Sequence, residues 1–195
     1  ADWLQRLQVE NDLSHDDTES AARKLEQLLG RDPNDFGLRL SYARVLIRRA
    51  EFGKAEAILT DLRAKLSASE LAELIPVARE QIRLYAEQRD MDKAVQVCNE
   101  LVGELHSAIA HMLRAEVYLV MKENDKAIQD LGQAISLESA NVGTWMARAR
   151  VYSSLGRIPE AVSDIRQALT LVSEEPSAQK LSVQKLAARV FMDSG

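Results

Sequence analysis

Small residues recur along this chain at a nearly constant interval. Alanines inside apolar helical patterns follow one another about every 34 residues, with one longer step: Ala21, Ala55, Ala94, Ala127 and Ala161. A second, mostly aromatic series runs beside them with a similar step: Leu46, Tyr85, Tyr118, Tyr152 and Phe191. Two independent series with the same step predict an array of similar repeats, each stacked on its neighbours.

The clearest copy of the repeat lies in the second half of the chain. Its pattern positions are Trp145, Ala149, Tyr152, Gly156, Ala161, Ile165 and Ala168. The copy before it has His111, Ala115, Tyr118, Ala127, Leu131 and Ala134 at the matching places. This pattern resembles the tetratricopeptide repeat, a helix–turn–helix element of about 34 residues. The resemblance implies an all-α, right-handed superhelical solenoid of antiparallel helix pairs.

The resemblance sets the expected boundaries. Residues 1–17 fit the pattern badly and are predicted to form a degenerate N-terminal helix near Trp3–Val9 and a polar linker at Asn11–Asp17. The array then spans 18–195: a half repeat at 18–35, repeats at 36–74, 75–107, 108–141 and 142–175, and a capping or truncated repeat helix at 176–195. The missing initiator Met and the end at Gly195 favour a segment of a longer array over a natural cap.

Two insertions of about five residues account for the longer steps. The first contains Ser67 and Glu70, a possible capping box that predicts an early helix start, with a kink or break near Ile75 because Pro76 follows. The second lies around Ser173–Lys180, where Pro176 is expected to open the next helix.

Side-chain size predicts how the helices meet. Ala115 against Ala127, and Ala149 against Ala161, are expected at the close crossings within two helix pairs. Tyr118 and Tyr152 should fill the space between repeats, in preference to forming a ligand box. Turns are predicted from the residue types that favour them: Gly53, Asp90, Asn124, Asp125 and Gly156.

Composition excludes several classes of protein. The chain is 46% hydrophobic and 28% charged, with a net charge of −5, which is typical of a folded domain and disfavours a nucleic-acid binder. No apolar run approaches the ~20 residues of a membrane span. Cys98 is the only cysteine, so no disulfide forms within the chain. A solitary cysteine is compatible with cytoplasm and periplasm, and the cytoplasm is slightly favoured.

No catalytic or metal-binding signature is present, so we expect neither an enzyme nor a cofactor. The spacing of His106 and His111 places them on different sides of a helix, which makes a two-histidine metal site poor. His111 and Cys98 occupy core slots of the repeat and are expected to be packing residues. The carboxylates show no pairing at the repeat spacing, as expected for solvated surfaces.

The repeat implies a binding surface. In the family, the inner face of each first helix contacts peptide ligands. One inner slot holds Arg in four copies of five: Arg44, Arg83, Glu116, Arg150 and Arg189. Arg48, Arg79 and Lys185 occupy adjacent slots. A groove of this kind would hold an acidic or C-terminal peptide segment, because guanidinium donates two parallel hydrogen bonds to a carboxylate. The family's repeats that hold a terminal carboxylate have Asn in the slot of Arg44 and Arg83, so the resemblance does not support that particular specificity. The alternative is an ordinary solvated surface.

The repeat at 108–141 differs from the others. Ile109, Leu119 and Val120 accompany Met112 and Leu113 on inner or near-inner slots, and Met146 follows in the next repeat. These residues predict an apolar pocket in the groove. The alternative places them in the core.

The resulting interpretation is a non-catalytic scaffold that holds a partner peptide or protein segment. A second hypothesis is the targeting or regulatory arm of a larger enzyme or of a secretion or assembly machine. A third is self-association through exposed apolar residues of the C-terminal helix: Val183, Leu186, Val190 and Phe191.

Overall fold

A computed structural model describes residues 2–172 and 178–192, and it describes their side chains except those of residues 2–6, 13 and 191. These ranges contain eleven α-helices and no strand. In order they are α1 Asp2–Ser14, α2 Thr18–Leu29, α3 Phe36–Arg48, α4 Phe52–Ala64, α5 Leu71–Glu87, α6 Met91–Leu105, α7 Ala108–Val120, α8 Asn124–Leu137, α9 Val142–Ser154, α10 Ile158–Leu171 and α11 Ala178–Met192. The predicted all-α class is confirmed.

The helices belong to two compact units, residues 1–97 and 98–195, and the boundary falls within α6. In the first unit, α1 packs on α2, α2 on α3, α3 on α4 and α5, and α4 on α5. In the second, α7 packs on α8, α8 on α9, α9 on α10 and α11, and α10 on α11. Each unit is therefore a stack of sequence-adjacent helices, as expected of a helical repeat.

Small residues lie at the helix crossings that the sequence predicts. Ala149 and Ala161 are fully buried in one apolar cluster of the second unit. Ala115 and Ala127 are 1% and 0% exposed and share another cluster. Close packing at these positions leaves no room for a larger side chain, and overpacking of a core typically costs ~1–3 kcal/mol.

One turn geometry closes five helix pairs in the described part of the chain. A residue with positive φ, between 58° and 71°, follows the first helix at the same repeat position in each pair: Asp16, Ala50, Arg89, Lys122 and Gly156. The N–H of the next residue then donates to a carbonyl in the last turn of that helix, for example Glu123 to Tyr118 at 2.8 Å. This is a Schellman turn, in which glycine is the usual left-handed residue.

Three of the predicted turn residues lie inside helices. Asn124 and Asp125 are the first two residues of α8, and the left-handed residue of that turn is Lys122. Gly156 does occupy the left-handed position, but Gly53 lies inside α4, and the left-handed residue of that turn is Ala50. Tertiary packing holds a non-glycine residue there at a local cost.

The first helix is longer than the sequence indicates. Because α1 runs from Asp2 to Ser14, part of the expected linker is helical. Val9 is 2% exposed in a cluster with residues of α2 and α3, and Lys24 Nζ contacts Asp12 Oδ2 at 2.6 Å. The helix pair α1–α2 closes with the shared turn at Asp16, so the repeat geometry already includes residues before 18.

The segment around Pro76 follows its prediction only in part. Helix α5 begins at Leu71, before the expected repeat boundary, and it continues through Pro76 as one helix where a kink or break is predicted. Leu74, Val77 and Ala78 are fully buried, and this packing holds both sides of the proline in the helix. Glu70 accepts the Ser67 N–H at 2.9 Å in a turn that precedes α5.

The second insertion lies mostly outside the described residues, and Pro176 and Gly195 lie wholly outside them. Along the described parts of the chain, every helix is too short or too polar to cross a lipid bilayer.

Candidate functional site

Two of the predicted groove arginines share a pocket in the second unit. Arg150 on α9 and Arg189 on α11 line a cavity of about 260 Å³. Ser153, Ser154 and Leu186 form its other walls. Both arginines are exposed, and neither pairs with a carboxylate among the residues described. The pocket therefore combines two available guanidinium groups, two hydroxyls and one apolar wall.

The equivalent arginines of the first unit have a different environment. Arg44 Nε donates to Glu80 Oε1 at 2.7 Å, and Arg83 Nη1 lies 4.0 Å from Glu80 Oε2. Glu80 is 7% exposed, and its Oε2 accepts no hydrogen bond from the described residues. The structure thus brings Arg44 and Arg83 together around an internal carboxylate.

The remaining charged groove candidates are dispersed. Arg48 Nη1 lies 3.8 Å from Asp16 Oδ1, at the turn after α1. Arg79 on α5 and Glu116 on α7 are exposed, and each makes polar contacts. None of these three lines the Arg150–Arg189 pocket.

The apolar pocket predicted around Met112 is wrong in two of its members. Leu113 and Met146 are 2% and 6% exposed, so both belong to the core. Met112 is half-buried, and its sulfur accepts a hydrogen bond from Thr144 Oγ1 at 3.2 Å. The sequence placed Leu113 and Met146 on the groove surface, whereas the structure packs both side chains against neighbouring helices.

An apolar pocket lies instead in the first unit, where the sequence predicts none. Leu7 and Val9 of α1, Leu25 of α2 and Leu38 of α3 surround a cavity of about 430 Å³, and Glu10 and Ser41 supply its polar edge. The sequence does not predict this cavity, because α1 matches the repeat pattern too weakly to indicate which of its residues face α2 and α3.

Buried Arg–Asp pairs are the main feature that the sequence analysis missed. Arg114 donates to both oxygens of Asp130 at 2.8 and 2.7 Å, and these bonds raise the pKa of the Arg114 guanidinium. Arg148 donates to both oxygens of Asp164 at 2.8 Å, with the same effect on its pKa. Both aspartates are 3% exposed. The two arginines are separated by one repeat length, as are the two aspartates, so the expectation of no carboxylate pairing at the repeat spacing is wrong.

Aromatic and imidazole side chains complete these clusters. His111 Nδ1 lies 2.9 Å from Asp130 Oδ1, so His111 joins a polar network as well as filling its slot. The Arg148 guanidinium lies 5.2 Å from the Trp145 ring centre and 5.8 Å from that of Tyr152. Cation–π contacts of this kind hold the arginine in its paired orientation.

Cys98 is a packing residue, as predicted. Its side chain is fully buried, and desolvation raises the pKa of the thiol to about 12. Among the described residues, no three His, Cys, Asp or Glu side chains come together as a metal site.

The self-association surface predicted on α11 needs correction. Val183, Leu186 and Val190 are 0–8% exposed, because they pack on the core shared with α9 and α10. The side chain of Phe191 lies outside the described set. Among the described side chains of α11, the large apolar ones that are exposed are Leu181 and Met192.

Solved structures with the same architecture include the following three proteins. A thermophilic TPR protein of Thermus thermophilus, TTC0263, shares 22% identity at a TM-score of 0.62, with 98% of this chain and 100% of that chain covered. A tetratricopeptide repeat protein of Parabacteroides merdae ATCC 43184 shares 14% identity at a TM-score of 0.64, covering 98% and 71%. YrrB, described as a TPR protein with an unusual peptide-binding site, shares 11% identity at 0.53, covering 91% and 88%. At these identities the likeness shows the fold alone.

Sequence comparison identifies the family directly. No curated protein matches the chain significantly. Family models described as tetratricopeptide repeat match residues 12–75, 108–141 and 142–171. These matches cover more than half of the chain and agree with the helix pairs and their shared turns. The chain belongs to the tetratricopeptide repeat family.

Proposed function

We propose that this chain is a non-catalytic scaffold that holds an acidic segment of a partner protein against its first helices. The observation that carries the proposal is the Arg150–Arg189 pocket, which contains two guanidinium groups without a carboxylate partner in the described structure. Family membership supports the general role, because stacked helical repeats present extended surfaces for peptides and proteins.

The local charge of the pocket, and not the net charge of the chain, supports the acidic character of the ligand. The chain carries a net charge of −5, so an acidic partner is repelled at long range and needs a local basic site. Arg150 and Arg189 supply that site, and Ser153 adds a hydroxyl group that can donate to a carboxylate. The Ser154 hydroxyl already donates to the Val151 carbonyl oxygen at 2.8 Å.

Peptide selection tests this function and reads out the chemistry of the partner directly. A displayed library of random peptides is selected on the wild type and on an Arg150→Glu/Arg189→Glu variant that retains its helical circular dichroism. We expect acidic peptides to be enriched by the wild type and lost by the variant. Arg166→Glu is the matched control, because Arg166 is an exposed arginine of the same unit that does not line the pocket.

Two results contradict the proposal. One is a selection that enriches no peptide. The other is enrichment of the same peptides by the wild type and by the folded double variant.

A further inference from the structure

One repeat position holds a charged residue, Glu80, in the first unit and an apolar residue, Leu186, in the second. The interval in the sequence from Arg44 to Glu80 equals the interval from Arg150 to Leu186. The interval from Arg44 to Arg83 likewise equals that from Arg150 to Arg189. Leu186 therefore occupies the place in the second unit that Glu80 occupies in the first.

We infer that this position determines which arginine pair binds a partner's carboxylate. Glu80 is a built-in carboxylate that keeps the Arg44–Arg83 pair closed to acidic ligands. Leu186 leaves the Arg150–Arg189 pair open and adds an apolar wall. The inference rests on the proposed function and assigns the acidic anchor to the second unit.

The contacts of Glu80 explain the closed state. Its Oε1 already accepts the Arg44 Nε–H at 2.7 Å, and its Oε2 lies 4.0 Å from Arg83 Nη1. A second carboxylate beside Glu80 would face like-charge repulsion in a poorly solvated place, since Glu80 is 7% exposed. The two arginines of the first unit thus have their counter-charge within the fold.

The second unit has no such competitor among its described residues. Leu186 is 8% exposed and lines the pocket with Arg150 and Arg189. A carboxylate that enters can accept hydrogen bonds from both guanidinium groups, and an apolar side chain next to it can contact Leu186. The ligand class is an acidic residue beside an apolar one, and the acid is either a side chain or a C-terminal carboxylate.

Reciprocal substitutions test the inference. The probe is N-acetyl-leucylglutamate, and its uncharged diamide is the control ligand. Binding is followed by nuclear magnetic resonance on the arginine Nε–Hε signals. In the wild type, the signals of Arg150 and Arg189 should shift with the probe and not with the diamide, while that of Arg44 should stay unchanged.

The variants exchange the two environments. Leu186→Glu should weaken probe binding at Arg150 about three- to tenfold, because it installs an internal carboxylate. Glu80→Leu should make the Arg44 signal respond to the probe. Glu80→Gln removes the charge with little change of volume and should give the same gain if Glu80→Leu unfolds.

Several outcomes would overturn the inference. They are unchanged probe binding in folded Leu186→Glu, no gain at Arg44 in either Glu80 variant, and equal response to the diamide. Tighter binding of inorganic phosphate than of the probe would replace carboxylate by phosphate as the ligand class. A probe amidated only at its α-carboxyl distinguishes the side-chain source from the terminal one.

This test can fail independently of the scaffold proposal. If peptide selection enriches nothing while the probe still shifts Arg150 and Arg189, the scaffold function fails and the specificity rule holds. If peptides are enriched equally by the wild type and by Leu186→Glu, the scaffold function holds and the specificity rule fails.

Discussion

Arg148 and Asp164 are joined by two parallel hydrogen bonds of 2.8 Å, Nε to Oδ2 and Nη2 to Oδ1, which tie α9 to α10. Asp164 is 3% exposed, and the Arg148 guanidinium supplies its counter-charge. The preceding repeat contains the same arrangement in Arg114 and Asp130. These pairs are polar contacts inside the repeat. Arg114 and Arg148 therefore have a structural role, in contrast to Arg150 and Arg189 of the proposed ligand pocket.

Removing one partner of this pair should destabilise the chain. Asp164→Ala leaves the Arg148 guanidinium without its carboxylate, and we expect the free energy of unfolding to fall by about 2–4 kcal/mol. Urea denaturation followed by circular dichroism measures the loss. Glu160→Ala is the control on the same helix, where the exposed pair with Arg157 should matter much less. Equal losses in the two variants would contradict the role assigned to Asp164.

Substitutions at the left-handed turn positions should change the free energy of unfolding in opposite directions, depending on whether glycine is introduced or removed. Lys122 has φ of 61° and Ala50 has φ of 58°. Replacing either by glycine relieves the left-handed strain but raises the conformational entropy of the unfolded chain. The net effect should be a stabilisation of about 0.5–1 kcal/mol.

Gly156→Ala is the complementary change. Its φ is +71°, and a Cβ there meets no atom within 4 Å, so the expected loss of about 1 kcal/mol comes from the backbone alone. Thermal denaturation of the three variants gives the comparison. A destabilised Lys122→Gly with an unaffected Gly156→Ala would show that turn strain does not control stability.

The thiol of Cys98 should be unreactive in the folded chain. Burial raises its pKa to about 12, so at pH 8 it is almost entirely protonated, and the thiolate is the reactive form. We expect negligible reaction with a disulfide reagent in native buffer and rapid reaction after denaturation with guanidinium chloride. Fast labelling of the native chain would show that α6 opens locally.

Tyr42 predicts a loss of stability at high pH. Burial and the hydrogen bond from its hydroxyl to Glu26, 2.6 Å long, raise its pKa from 10.0 to about 12. A raised pKa in the folded state contributes stability that is complete below pH 10 and is lost as pH rises towards 12.

Tyr42→Phe provides the control for this pH dependence. The difference in unfolding free energy between wild type and variant should shrink between pH 10 and 12. A difference independent of pH in that window would mean that the phenol titrates normally in the folded chain.

The sequence by itself determined the repeat. Periodic alanines and aromatic residues predicted helix pairs of about 34 residues, and the burial of Ala149 and Ala161 confirms the crossings. This succeeded because the face that a helical residue presents depends on local spacing, and close helix approach requires small side chains wherever it occurs.

The partners of the charged residues were decided by the tertiary structure. Arg148 pairs with Asp164 on the following helix, whereas Arg44 pairs with Glu80 two helices further along the chain. Arg150 has no such partner among the described residues and lines a pocket. All three are arginines on first helices of repeats. Their environments differ because an ion pair forms only where a side chain of a neighbouring helix comes within about 4 Å. The helical periodicity of the sequence shows which face of its own helix a residue occupies, but it contains no information about that distance.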